Sequence, residues 1–78
     1  MISAKTAVEK AVIYFRDLRL QDPSNLDVEE LELSDDRTEW HVTLGFGSDM
    51  GVMGKRRFRL LKVDAATGEI TSLKIREL

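Results

Sequence analysis

The chain has no cysteine, one proline, one histidine and no long apolar run. Without cysteine there is no disulfide scaffold, no thiolate zinc site and no thiol nucleophile. A single histidine excludes a two-histidine metal motif and any catalytic scheme built on a histidine pair. No stretch approaches the roughly 18 consecutive apolar residues of a membrane helix. Met1 leads into an amphipathic segment rather than a signal sequence, so the expected setting is the cytoplasm, with no membrane partner. Aromatic residues are few, with one Trp, one Tyr and three Phe. Neither sign of charge dominates: 12 Lys and Arg stand against 14 Asp and Glu, a net charge of −2. At 42% hydrophobic residues the 78-residue chain is apolar enough to fold, and its length allows one domain spanning residues 1–78. A core this small supplies only about 3–5 kcal/mol, which leaves little for carving a deep cleft. The expectation is a non-enzymatic protein without cofactor or metal, acting through a surface or a loop.

What is present is a change of period. Ala4, Ala7, Val8, Ala11, Val12, Phe15 and Leu18 recur at three- and four-residue spacing, which predicts an amphipathic helix over residues 3–20. Ser3 is placed to cap it, with Ile2 stapling onto Ala7. Small alanines along the stripe suggest close packing on a flat partner, such as a sheet. Pro23 ends the helical region. Beyond it the period falls to two, predicting strands over Leu26–Leu33, Thr38–Phe46, Arg56–Asp64 and Ile70–Ile75. Trp40, Val42, Leu44 and Phe46 share one face of the second strand. In the first, Leu26 and Val28 have one parity and Leu31 and Leu33 the other, which predicts a bulge near Glu29-Glu30. Asp64–Glu69 reads as a tight turn in which Asp64 accepts from turn amides and Gly68 takes positive φ. Short connections imply an antiparallel meander. The fold class expected is α+β: one N-terminal helix packed on a four-stranded antiparallel meander sheet.

The third strand allows two registers. If Leu44 faces Phe58 and Val42 faces Leu60, then Leu61, Val63 and Ile70 lie on the far face with His41, as a candidate homodimer surface. If the register moves by one, Leu61 and Val63 turn inward.

The order helix, acidic strand, Asp-Asp turn, Trp-containing strand and closing hairpin resembles the PepSY and PepSY-like domains. Val63-Asp64-Ala65-Ala66-Thr67-Gly68-Glu69-Ile70 looks like that family's closing hairpin, and Trp40-His41-Val42-Thr43-Leu44 like the strand before it. The resemblance spans nearly the whole chain and implies a cystatin-like fold. It also implies a protein-binding role, in particular the inhibition of proteases. The cystatin wedge Gln-x-Val-x-Gly is absent, Gly51-Val52-Met53-Gly54 being the nearest segment.

Four of the five glycines fall between Gly45 and Gly54, yet neither nucleotide-loop spacing is met: Asp49 stands where the first Gly of one pattern should be, and Met50 where the third Gly of the other should be. Met50, Val52 and Met53 are instead apolar residues in a segment expected to be exposed. With Lys55, Arg57 and Arg59 beside them they form the candidate surface for a protein partner of unknown identity. Lys55, Arg56, Arg57, Arg59 and Lys62 make a basic run, while Asp22, Asp27, Glu29, Glu30, Glu32, Asp35 and Asp36 fall in a stretch without a base. The plain reading is attraction between strands across the sheet. The rival is a nucleic-acid surface on the basic strand, against which stand the net acidity and the shortage of aromatics.

Overall fold

The computed structural model describes residues 1–18, 25–47 and 56–77. Ser3 is extended, at φ −77° and ψ 163°, and its side chain accepts from the Thr6 N–H at 3.1 Å. This cap starts α1, Ala4–Asp17. Ala7, Ala11 and Phe15 are buried on the face turned to the sheet, and Ile2, Val8 and Val12 flank them.

Four strands follow: β1 (Asp27–Leu33), β2 (Glu39–Phe46), β3 (Arg57–Asp64) and β4 (Ile70–Arg76). They are hydrogen-bonded in the order β1-β2-β3-β4, each antiparallel to the next. The architecture is therefore α+β, one helix on an antiparallel meander. The expected bulge in β1 is present, with the register shifting between Val28 and Glu30.

The ladders divide the sheet into rows. Leu33–Trp40–Val63–Ile70, Leu31–Val42–Leu61–Leu73 and Val28–Leu44–Arg59–Ile75 lie on the helix side. Between them, on the open face, run Glu32–His41–Lys62–Ser72, Glu30–Thr43–Leu60–Lys74 and Asp27–Gly45–Phe58–Arg76. This decides the third strand. Val42 pairs with Leu61 and Leu44 with Arg59, so Leu61 and Val63 are fully buried beneath the helix. Phe58 and Leu60 go to the other face. The β2–β3 ladder is unbroken, and a shift between Lys62 and Val63 adjusts β4 to β3 instead. The register in which Leu61, Val63 and Ile70 would share a face with His41 is not adopted: all three stand on the helix side, Ile70 packed at the margin of the core.

The turns carry much of the geometry. Asp64 Oδ1 accepts from the N–H groups of Ala66 and Thr67 at 2.8 and 2.9 Å, and Gly68 sits at φ 82°. These hydrogen bonds, Thr67 first, lower the Asp64 pKa. In the β1–β2 turn Asp36 Oδ1 accepts from the Thr38 hydroxyl, the Ser34 hydroxyl and the Thr38 N–H. Those bonds, the Thr38 hydroxyl foremost, hold the Asp36 carboxyl at about 2 instead of the ordinary 3.8. Ile2 ties the start of the helix to β2 and to the β3–β4 turn. Its N–H donates to the Ala65 carbonyl at 2.7 Å, and its carbonyl accepts from Trp40 Nε1 at 3.2 Å.

Candidate functional site

Basic side chains gather where β3 begins and β4 ends. Alternation along β3 sends Arg57 and Arg59 to the helix side and Phe58 to the open face, where Arg76 of β4 is its neighbour. Arg56, Arg57, Phe58, Arg59, Ile75, Arg76 and Glu77 line a shallow cleft of about 640 Å³. Arg59 is an arginine on the core side of the sheet, and its surroundings explain how. Its guanidinium stacks 5.2 Å from the centroid of the Phe46 ring and donates to the Phe58 carbonyl at 2.9 Å. Phe46 in turn packs on Phe15, with centroids 5.1 Å apart.

Arg56 works as a clamp. It donates to the Gly47 carbonyl at 3.2 Å and the Asn25 carbonyl at 3.0 Å, and pairs with Glu29 at 3.4 Å and Asp27 at 3.8 Å. The bulge at Glu29 lets that carboxylate lie over Gly45. A Cβ on Gly45 would come within 2.8 Å of Glu29 Cγ and 3.0 Å of Arg56 Nη2, so this glycine makes room for the pair. Arg76 reaches past β3 to the Thr43 hydroxyl on β2 and pairs with Glu30 on β1. At the other end of the open face His41 Nε2 lies 3.3 Å from Glu39 Oε1, and Glu39 also accepts from Thr71 at 3.3 Å.

The open face is thus covered by the chain's own long polar side chains. Thr43, in its middle, is only 1% exposed. This is not the apolar dimer surface expected there: of its candidate residues, only His41 is present on the face.

The attraction expected between the acidic stretch and the basic run is realised in Arg56 with Asp27 and Glu29, and Arg76 of β4, outside that run, adds a pair with Glu30. Of the candidate partner-binding residues, Arg57 and Arg59 stand at the cleft. Met50, Val52, Met53 and Lys55 lie outside the described residues. Asp64 and Gly68 form the turn as expected, at the far end of the sheet from the cleft. Sequence reasoning did not single out Arg76, Phe58 or Ile75. Their convergence depends on the β3–β4 register, although the concentration of bases toward the C-terminal strands was a usable signal.

Among the described residues no group of three or more His, Asp and Glu side chains is placed to hold a metal ion. No described helix is long and apolar enough to cross a membrane. Comparison with protein-family models, curated proteins and solved structures returns no match.

Proposed function

We propose that this chain is a small, non-enzymatic protein-binding module of PepSY-like kind, and that it receives an acidic, extended segment of a partner at the arginine-rich end of its sheet. One observation carries the reading: Arg56, Arg57, Arg59 and Arg76 line a single open cleft with Phe58 and Ile75, against one acid, Glu77. Arg56, Arg59 and Arg76 already hold contacts within the chain and make the cleft positive, while the exposed Arg57 presents a planar donor fork to a carboxylate and the exposed Ile75 offers apolar area beside it. A shallow groove of this kind suits side chains of a peptide better than a reacting small molecule, which requires enclosure. The helix over an antiparallel meander is also the arrangement that the PepSY resemblance implies, and a cystatin-like protease-directed role falls within the same reading.

The test is a titration of fluorescently labelled peptides that alternate Glu with apolar residues, run beside a single-stranded oligonucleotide of equal charge. Saturable peptide binding that weakens in Arg57→Glu supports the proposal. Tighter binding of the oligonucleotide, with affinity falling steeply as salt rises, replaces it with the nucleic-acid reading. Absence of binding by either probe removes the cleft as a site.

A further inference from the structure

Among the described residues no strand pairs with the outer side of β1 or of β4, and the chemistry of one edge largely complements that of the other. Four strands are an even number, so β1 and β4 run antiparallel to one another. A second copy displaced along the sheet would bring its β1 alongside β4 in antiparallel sense, with its helix on the same side. Both edge strands are seven residues long.

The rows of the sheet show what would meet. On the helix side, Ile75 is level with Val28, and Leu73 with Leu31. Ile75 is 74% exposed, Val28 42% and Leu31 38%, so each edge leaves apolar surface uncovered on this side. On the open face, Lys74 is level with Glu30, and Arg76 with Asp27. β1 carries Asp27, Glu29, Glu30 and Glu32 without a base, and β4 carries Lys74 and Arg76 without an acid.

Charged edges ordinarily protect a sheet from pairing. Here the two edges have opposite signs. β1 against β1 or β4 against β4 opposes like charges, which is destabilising, whereas β1 against β4 sets Glu30 by Lys74, Asp27 by Arg76 and apolar on apolar in the helix-side rows, with Glu32 meeting the uncharged Ser72. From this match we infer that copies of the chain associate head to tail, β4 of one copy adding β1 of the next. Such an interface leaves an unpaired edge at each end of any open assembly, so it grows into rings or filaments and does not stop at a closed pair. It needs only the chain itself, but Ile75 and Arg76 belong to both surfaces, so β1 of a second copy and the acidic segment of another partner would compete for this edge; peptide binding by the chain at concentrations where it has the mass of one chain separates the two readings.

Two substitutions at exposed positions separate the edges. Ile75→Lys damages only the β4 edge, and Val28→Lys only the β1 edge, each by placing a charge where apolar surface would be covered. Sedimentation velocity from micromolar to millimolar chain at low ionic strength is expected to show the parent gaining mass with concentration. Each variant alone should stay at the mass of one chain, and the equimolar mixture should form a 1:1 dimer that grows no further, because its outer edges are both damaged. Far-UV circular dichroism checks that the variants fold; if Val28→Lys does not, Leu31→Lys, level with Leu73, takes its place. A parent that remains a single chain throughout overturns the inference. So do variants that assemble like the parent, or a mixture that stays monomeric while the parent assembles.

Discussion

Leu60→Ala and Leu61→Ala differ by one position in sequence and by a whole face of the sheet. Leu61 is fully buried among Val42, Val63, Ala11 and Phe15 in the cluster beneath the helix. Truncating a leucine in such a place costs about 2–5 kcal/mol, from lost transfer free energy and the cavity left behind. A domain of this size draws about 3–5 kcal/mol from its core, so the variant is expected to be largely unfolded in water. Leu60 is half-buried on the open face, and its truncation removes only part of a leucine's burial, about 1 kcal/mol. Urea unfolding followed by the fluorescence of Trp40 and by circular dichroism reads both. With a slope of about 1 kcal/mol per molar for a chain this small, Leu60→Ala moves the midpoint by about 1 M. Leu61→Ala moves it by about 3 M or abolishes the native baseline. A Leu60→Ala variant as damaged as Leu61→Ala would refute the reasoning, because it would put Phe58 and Leu60 beneath the helix and displace β3 by one residue.

Gly68→Ala should lower stability by about 1–2 kcal/mol, because φ 82° is strained for any residue with a Cβ, and a urea midpoint equal to the parent's would contradict this. Asp36 has its folded pKa depressed from 3.8 to about 2, so the stability it contributes is complete above pH 3.8 and lost as the pH falls toward 2. Asp36→Asn should flatten that part of a stability–pH curve, and an unchanged curve would count against the turn geometry. Arg76→Ala leaves the buried Thr43 hydroxyl without its donor and Glu30 without its partner, an expected cost of about 1–3 kcal/mol. A double-mutant cycle with Glu30→Ala measures how much of that cost belongs to the pair, and a coupling of zero would reduce the contact across three strands to coincidence.

The parts of the fold that could be read from residue order are those in which one local pattern had one outcome. The alanine stripe fixed the helix face, the strict alternation from Trp40 to Phe46 fixed β2, and the parity slip after Val28 located the bulge. Asp64 and Gly68 set their turn through hydrogen bonds made within a few residues. The third strand was different because Phe58 with Leu60 and Leu61 with Val63 are two apolar pairs of opposite parity, and each could fill the layer under the helix. The choice rests on distant contacts: the Ala65 N–H donates to the Thr38 carbonyl at 2.8 Å and pins the end of β3 to the start of β2, aligning Asp64 with Glu39. Counting out from that pin puts Leu61 opposite Val42. The cleft was only half legible for the same reason. Arg57 and Arg59 are neighbours in sequence, but Arg76 and Ile75 join them through pairing. Arg56, read as one charge in a basic run, gained its role as a clamp from carbonyls at Asn25 and Gly47.

The pinning of Ile2 between Trp40 and Ala65 has a consequence for the order of events during synthesis. Of the described elements the helix is made before the strands, but the surfaces that cover Ala7, Ala11 and Phe15 come from β2 and β3, and Ile2 is not tied down until residue 65 exists. β1, the next described strand to appear, lies at the edge and is exposed along most of its length, so it gives that stripe little cover. Among the described elements, the cover for the apolar stripe is therefore complete only once β3 has been made. Docking then becomes a late closure of the helix onto strands made after it, of the kind in which long-range contacts set the folding rate.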